Sequence, residues 1–420
     1  MEDLMEEKKV IPQGFKKTTF GIIPIDWSVE LLDNLTKRGS GHTPDKSYDD
    51  YYNGGVKWVS LADSFRLDNG FIRETEFQIS ELGIKKSSAV IHPSGTVIMS
   101  RDAGVGKSAV MFENMAVSQH FITWTCSDKY ENWFLYYWLQ FKKEFFERHA
   151  VGSTIKTIGL PLFKKLLVVN PPILEQKRIL KVLLTWDKAI EKLNQLIAQK
   201  ELRKKGLMQE LLTGKKRLRG FDVEWREKKM GEIFTSIRHV NDGEDGHSVM
   251  TISSKHGLVS QMDKFDRVIA GDSLRKYTQI KKGDFAYNKG NSKTYQMGCI
   301  YMLEEKESAL VPFVYICFSP TDKVCSNFYK HLFLDHGLDR QLKKIITSGA
   351  RGDGLLNVNI SDFFNLKIAF PPKEEQSAIA EIIESSDKEI QLLKKKLEQL
   401  KMQKKGLMQV LLTGKKRLKY

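Results

Sequence analysis

Two stretches of the chain carry apolar residues at a spacing of three or four over about forty residues. The first runs from Pro171 to Leu218 and the second from Pro371 to Leu418, and 24 of their 48 aligned positions are identical. A narrow apolar stripe kept up for about five heptads is typical of a long helix that packs along another helix. The pattern therefore predicts two long helices, which we expect to pair within the chain. Lysines at positions 200, 204 and 404 and Ser386 interrupt the stripes.

Both predicted helices have matching signals at their ends. Pro-Pro and then Glu175 or Glu375 begin each one, and an acidic residue suits the positive end of the helix dipole. Gly214 and Gly414 follow the last apolar residues, and each precedes Lys-Lys-Arg, which is a typical helix stop. About forty residues at ~1.5 Å each make a helix of ~60 Å. An alternative is that each helix packs only on its own globular segment.

The two segments outside these helices mix strand and helix patterns. In the first, strands are predicted at 56–61, 96–99, 121–125 and 166–169, with a helix at 132–148. In the second, strands are predicted at 248–252, 284–287, 311–318 and 366–370, with a helix at 327–346. We therefore predict the α/β (α+β) class, with two mixed α/β domains and an internal repeat. The predicted boundaries are 1–26 (N-terminal segment), 27–170 (first domain), 171–218 (helix), 219–370 (second domain) and 371–420 (helix).

The sequence indicates one pair of equivalent segments in the two domains. Ser94–Arg101 and Lys282–Lys289 each contain a turn glycine, an apolar strand, a polar residue and then a cation, in that order. Each domain also has a polar loop before its last strand, at 152–156 and 349–354. Since the rest of the two segments differs, we expect similar scaffolds with different loops.

The net charge of +15 is concentrated at the helix ends. Residues 200–219 carry eight basic and two acidic side chains, and residues 394–420 carry ten basic and one acidic. A basic chain suggests nucleic acid as a partner, although these ends are also matched to the helix dipole. Four cysteines without a CxxC pair and no recognisable metal spacing fit a reduced cytoplasm. The charged start and the lack of a long apolar run argue against secretion and against a membrane span.

Two short motifs resemble catalytic signatures, and neither is complete. Asp102–Ser108 (DAGVGKS) ends like a phosphate-binding loop, but Arg101 stands where the first glycine is needed. We interpret it as a contact to DNA or as a plain hairpin loop. Asn170-Pro-Pro-Ile173 resembles the Asn-Pro-Pro-aromatic motif of adenine-N6 methyltransferases, but isoleucine replaces the stacking aromatic residue. A Pro-Pro junction between strand and helix explains it better.

The stretch Gly39–Ser60 interleaves aromatic residues with small polar ones, a composition that suits reading of base edges. We expect Trp58 to lie in the core, and Thr43 and Lys46 to lie in surface loops. His120 fits a buried histidine as well as a contact. No arrangement of serine, cysteine, histidine or paired carboxylates indicates a catalytic site, so we predict none, and no metal or cofactor site.

The alternation of variable α/β segments with repeated helices resembles the specificity subunit of type I restriction–modification enzymes. The stretches GGVKWVS and STIKTIGLPLFKKLLVVNPPILEQKRI and the twin LLTGKKRL helix ends carry this resemblance. It implies two target recognition domains that each read one half of a bipartite DNA sequence. It also implies antiparallel pairing of the helices as a spacer and a pseudo-twofold arrangement.

The same resemblance implies that methyl transfer and cleavage belong to separate modification and restriction subunits, in a bacterial or archaeal cytoplasm. The partners expected are double-stranded DNA and those subunits, with no membrane and no cofactor. The candidate DNA contacts are polar and basic residues of loops and strand ends: Thr43, Lys46, Arg101, Lys107, His120, Lys156, Lys255, Tyr287, Asn288, Lys289, Lys293 and Arg351. A stand-alone adenine-N6 methyltransferase and a coiled-coil adaptor without a DNA function are the alternatives.

Overall fold

A computed structural model of the chain describes residues 11–241, 247–253, 256–269, 271–290, 295–346 and 356–418. The chain divides into two compact units. The first comprises Met1–Asn194 and Lys396–Tyr420, and the second comprises Gln195–Lys395. Each unit therefore contains one of the predicted globular segments and parts of both long helices. No helix in the described ranges is long and apolar enough to cross a bilayer.

The first globular segment is built from short strands with helices between them. Its strands are β1 (Phe15–Thr18), β2 (Gly21–Pro24), β3 (Ser28–Leu31), β4 (Thr36–Ser40), β5 (Tyr52–Val59), β6 (Phe71–Ile72), β7 (Phe77–Ile79), β8 (Ile91–His92), β9 (Val97–Ser100), β10 (Ser108–Met111), β11 (Met115–Val117), β12 (Phe121–Cys126) and β13 (Leu167–Asn170). Its helices are α1 (Leu32–Leu35), α2 (Glu81–Lys85), α3 (Asn132–Phe141), α4 (Lys143–His149) and α5 (Leu160–Lys164), and the long helix α6 (Ile173–Leu211) follows.

The second globular segment repeats this construction. Its strands are β14 (Arg226–Lys229), β15 (Phe234–Ser236), β16 (Ser248–Ser253), β17 (Gly257–Ser260), β18 (Thr278–Lys281), β19 (Phe285–Asn288), β20 (Cys299–Met302), β21 (Ser308–Val311), β22 (Ile316–Pro320) and β23 (Lys367–Phe370). Its helices are α7 (Met230–Ile233), α8 (Gln261–Phe265), α9 (Ser326–Leu334), α10 (Asp339–Ile345) and α11 (Ile360–Phe364), and the long helix α12 (Lys373–Leu411) follows.

The two segments share most of their sheet topology, and within the described residues the first has one additional strand, β6, at the edge of its larger sheet. The first contains a β4-β12-β9-β10-β6 sheet, a β7-β5-β11-β8 sheet and the pair β3–β13. The second contains a β15-β22-β19-β20 sheet, a β17-β16-β21-β18 sheet and the pair β14–β23. The inner pairs β5–β11 and β16–β21 are parallel in both. The predicted α/β class and internal repeat are confirmed, and the predicted equivalence holds because β9 and β19 take the same sheet position.

The end of one long helix and the start of the other complete the core of each unit. In the first unit Ile179 and Leu183 of α6 join the main cluster with Leu411 and Leu412 at the end of α12. In the second unit Leu211 and Leu212, at the end of α6, join its core with residues at the start of α12. Since burial of one such side chain contributes roughly 1.5–3 kcal/mol, these helix ends help to stabilise the globular segments.

The long helices pack against each other in antiparallel fashion within each unit, as predicted. In the second unit Lys200 pairs with Glu389 at 2.6 Å and Lys204 with Asp387 at 2.5 Å, so residue numbers rise along one helix as they fall along the other. In the first unit Lys404 pairs with Asp187. The lysines that interrupt the apolar stripes thus bind acidic residues of the opposite helix, which explains why the packing tolerates them.

Three predicted elements are wrong because a turn divides each of them, and one of these is the helix predicted at 132–148, which is split at Lys142 into α3 and α4. The strand predicted at 311–318 is split between β21 and β22, where Tyr315 N–H donates to the Pro312 carbonyl at 3.0 Å. The helix predicted at 327–346 is split into α9 and α10, where His336 has φ 61° and Gly337 follows. Apolar residues continue through the turn at 312–315, so periodicity alone does not reveal it. The turn between α9 and α10 falls on Asp335, His336 and Gly337, a polar stretch with a turn glycine that the helix prediction overrode.

Candidate nucleic-acid interface

Three of the predicted contacts line one cleft of about 690 Å³ in the first unit. The cleft lies where β11 ends and β12 begins, beside the loop that follows β4. Its lining includes Thr43, Lys46, Trp58, Ser118, Gln119 and His120. The loop positions predicted for Thr43 and Lys46 are confirmed.

Two polar side chains of the cleft are held in place by a neighbour. Thr43 Oγ1 donates to Gln119 Oε1 at 2.5 Å. His120 Nδ1 lies 2.8 Å from Asp102 Oδ2, and about a third of the His120 side chain is exposed. Lys46 is exposed at the rim. The cleft therefore presents an amide, an imidazole and a cation in fixed or accessible positions, which are groups that hydrogen-bond base edges or phosphate.

Aromatic side chains form part of the cleft lining. Trp58 is 5% exposed and packs with Ile79 and Ala116, so its predicted core position is confirmed. Its indole N–H donates to the His42 carbonyl at 3.2 Å. Phe77 also lines the cleft and is half exposed. Aromatic rings beside polar side chains favour a ligand with flat rings and polar edges, as nucleobases have.

The glycine-rich hairpin Arg101–Lys107 joins β9 to β10. Because a strand and not a helix follows it, the hairpin lacks the helix N-terminus of a phosphate-binding loop, which removes the nucleotide interpretation. Lys107 Nζ donates to the Ser64 carbonyl at 3.1 Å, and Arg101 is half-buried. The Lys107 side chain therefore holds the hairpin against the segment that contains Ser64, in the same unit.

Lys156 is exposed in the polar loop that precedes the last strand of the first segment. This loop lies beside the hairpin, because Thr157 forms a β-bridge with Asp102 and Ile158 N–H donates to the Arg101 carbonyl at 2.9 Å. The fold therefore brings Arg101 and Lys156 close together, although they are 55 residues apart in the sequence.

The predicted DNA contacts of the second unit do not come together in one cleft of the described residues. Tyr287 is fully buried, stacks on Phe363 at 5.0 Å and donates its hydroxyl hydrogen to the Met297 carbonyl at 2.7 Å. The expectation that it contacts DNA is therefore wrong, because the strand directs it into the core. Asn288 and Lys289 at the strand end are half-buried. Lys255, Lys293 and Arg351 lie outside the described residues.

The Asn170-Pro-Pro junction is structural. Asn170 Nδ2 donates to Glu30 Oε1 at 2.9 Å, and Asn170 Oδ1 accepts from Gln176 Nε2 at 3.1 Å. Both ends of the amide are therefore occupied by the chain itself, and none is left to hold the amine of a base.

Burial keeps three of the thiols protonated. Burial raises the pKa of Cys126 and Cys317 to about 12 each and that of Cys299 to about 11. Over the described residues, no group of three or more metal-ligating side chains comes together.

At the start of each long helix, a buried carboxylate binds a tryptophan and an arginine from distant parts of the chain. Sequence patterns did not reveal these contacts. In the first unit Glu175 accepts from Trp27 Nε1 at 3.0 Å and from Arg417 Nε at 3.0 Å, while Arg417 also binds Asp26 at 2.8 Å. In the second unit Glu375 accepts from Trp225 Nε1 at 2.8 Å and Arg217 Nε at 2.7 Å. The hydrogen bonds that both arginines donate to these carboxylates raise the pKa of the arginines.

Gln119 and Ser118 were also missed. Their signal was their place beside His120 in the SQHF stretch, where a polar interval separates two strands.

Comparison with known proteins gives one consistent result. The family of type I restriction modification DNA specificity domains matches twice, at residues 24–201 and 222–402. Two specificity subunits of Methanocaldococcus jannaschii type I restriction enzymes, MjaIX and MjaVIII, are each 24% identical to the chain. The MjaIX alignment covers 91% of this chain and 93% of that protein, and the MjaVIII alignment covers 98% and 99%.

Solved structures agree at the level of the fold. The S subunit of a type I restriction–modification system from M. genitalium superposes with a TM-score of 0.52 at 16% identity, covering 92% of this chain and 96% of that one. A chain from a type I restriction–modification system, solved to study complex assembly and conformational transition, superposes with a TM-score of 0.59 at 15% identity. It covers 93% of this chain and 99% of its own length.

Proposed function

The chain belongs to the family of type I restriction–modification DNA specificity domains, and from this premise we propose that it is the DNA sequence-specificity subunit of such a complex. Its two domains, which we assign to 27–170 and 219–370, each read one half of a bipartite duplex sequence. It carries out no chemistry itself. Modification subunits transfer the methyl group and a restriction subunit cleaves, in the cytoplasm of a bacterium or an archaeon.

One observation carries this proposal: the two domains share a sheet framework while their loop sequences differ. Identical scaffolds with identical loops would suit a palindromic target. Different loops on the same scaffold suit two unrelated half-sites, because base edges are recognised by the side chains that a scaffold presents.

The paired helices suit a spacer. Each is 39 residues long, and both globular cores include helix ends, so the spacer and the domains fold together. Two DNA-binding domains joined by such helices contact the same face of a duplex only at set separations, since the major groove repeats every ~34–36 Å.

The candidate contacts in the cleft and the adjoining hairpin support DNA binding by the first domain. Thr43, Lys46 and His120 line one cleft, and Arg101 and Lys156 lie on neighbouring loops. The globular segments carry little of the net charge, so we propose that the partner subunits add phosphate contacts.

Methylome sequencing of cells that express this chain with its modification subunits tests the proposal. We expect one bipartite motif with a fixed gap, absent from cells that lack the chain. Modification by the modification subunits alone, or S-adenosylmethionine binding by the purified chain, would contradict the proposal and favour a methyltransferase. A lack of any new motif would favour an adaptor.

A further inference from the structure

One short loop occupies the same place in both globular segments. Residues 118–120 connect β11 to β12 in the first, and residues 312–315 connect β21 to β22 in the second. Each loop leaves a strand of the parallel pair and enters the second strand of the other sheet. Each also closes a turn, since Phe121 N–H donates to the Ser118 carbonyl at 3.1 Å and Tyr315 N–H to the Pro312 carbonyl at 3.0 Å. The two loops are therefore structural equivalents.

The loop in the first unit presents polar side chains that are already positioned. Gln119 is exposed, and its carbonyl oxygen accepts the hydroxyl hydrogen of Thr43. Its amide NH₂ is then left to donate outward. His120 is held in the same way by Asp102. A side chain that a neighbour holds loses less conformational entropy on binding, so it discriminates better between ligands.

The base of this loop has unused hydrogen-bonding capacity. The Ser118 side chain is 1% exposed, lines the cleft, and its hydroxyl has no hydrogen-bond partner in the described part of the chain. Buried polar groups are normally paired, so an unpaired hydroxyl beside a cleft indicates that a ligand completes it.

The equivalent loop in the second unit has a different chemistry. Phe313 takes the position that corresponds to Gln119 and is 54% exposed, although a large aromatic ring is usually buried. In the major groove an apolar side chain recognises thymine through its methyl group.

We propose that this loop is the base-reading element of both domains, with Gln119 reading hydrogen-bond acceptors in one half-site and Phe313 contacting a thymine methyl in the other. The inference rests on the proposed function and names the residues that give it specificity. A glutamine with both amide ends available pairs with adenine, which offers a donor and an acceptor. Because Thr43 occupies the carbonyl of Gln119, guanine, with acceptors at N7 and O6, fits it better.

The test uses the full chain expressed with its modification subunits, with methylome sequencing as the readout. Gln119→Glu replaces donors by acceptors and should change the preference at one base pair of one half-site by about 5–150-fold, toward cytosine, whose N4 donates. Phe313→Ala should relax the preference for thymine at one position of the other half-site. In each variant the half-site that is not targeted should stay unchanged, which also shows that the variant folds.

Gln13→Glu is the matched control, since it makes the same chemical change at an exposed position outside the cleft and should leave the motif unchanged. Selection from a randomised duplex library with the purified complex gives the same preferences where modification by a variant is weak. Unchanged preferences in both variants, or one variant altering both half-sites, would overturn the assignment of the loop while the proposed function stands. A wild-type chain that yields no bipartite motif would overturn both.

Discussion

The buried carboxylate of Glu175 joins three parts of the first unit that are distant in sequence. It accepts hydrogen bonds from Trp27 and Arg417, so it links the start of the first segment, the start of α6 and the tail that follows α12. Glu175→Gln keeps the shape of the side chain and removes its charge. The substitution therefore measures the electrostatic part of this link.

The expected loss follows from the burial of the two partners. Removing one partner of a buried ion pair costs roughly 3–5 kcal/mol because the other charge is left unpaired. Here the side chain of Arg417 is 37% exposed and keeps Asp26, so solvent and the second carboxylate compensate in part. We therefore expect a loss of about 2 kcal/mol in the local free energy of unfolding, toward the range for hydrogen bonds to charged groups.

Native-state hydrogen exchange measures this loss unit by unit, which global unfolding of a chain with two compact units does not. Amides at the start of α6 should exchange about 30-fold faster in Glu175→Gln, which corresponds to ~2 kcal/mol. Amides at the start of α12, held by the unaltered Glu375, should keep their rates. Glu398→Gln breaks the exposed pair with Lys401 and should change rates little, since such pairs contribute about 0–1 kcal/mol.

Unchanged exchange at the start of α6, or an equal acceleration in both units, would refute the role assigned to Glu175. Arg417→Gln alone and combined with Glu175→Gln completes a double-mutant cycle. The two effects should fall short of additivity, because the residues act on the same contact.

Three further outcomes are expected. Burial lowers the pKa of His331 from 6.5 to about 4 and both its ring nitrogens lack hydrogen-bond partners in the described chain, so the unfolded state binds the proton more readily. Stability of the second unit should therefore fall as the pH drops from 6.5 to 4. His331→Phe should remove about 3 kcal/mol of that loss from the local free energy of unfolding at α9, measured by native-state hydrogen exchange at the two pH values. Gly414→Ala should lower the melting temperature, because Gly414 has φ +69° and an added Cβ would lie 2.3 Å from Pro24, whereas Gly406→Ala in open space within α12 should raise it. Inserting four residues at the middle of both long helices adds ~6 Å to each and should widen the gap of the modified motif by one or two base pairs without changing the half-sites.

The long helices could be predicted closely because their determinants are local. The apolar spacing, the Pro-Pro starts and the terminal glycines predict 39-residue elements to within a few residues, and Gly214 and Gly414 both have φ +69°, as the predicted helix stop requires. The sequence repeat at 171–218 and 371–418 predicts that the two long helices share one structure, since similar sequences fold alike.

The cleft of the first unit and the buried carboxylates at the helix starts were harder to predict because they are made by contacts between distant segments. Thr43 holds Gln119 across 76 residues, and Glu175 meets Arg417 across 242. Tyr287 was misjudged because a strand alternates its faces, and the sequence does not tell which face the core covers. The hairpin β1–β2 was missed because its apolar run is short.

The most direct test of the central claim replaces one domain and measures the methylated DNA motif. Residues 27–170 are replaced by the corresponding domain of a relative with a known, different target, and the methylome is sequenced with the same modification subunits. We predict a motif in which one half-site is replaced, while the other half-site and the gap are those of the parent. A motif that changes in both halves, or that keeps the parental sequence throughout, would contradict the claim that each domain recognises its own half-site independently while the helices set the gap.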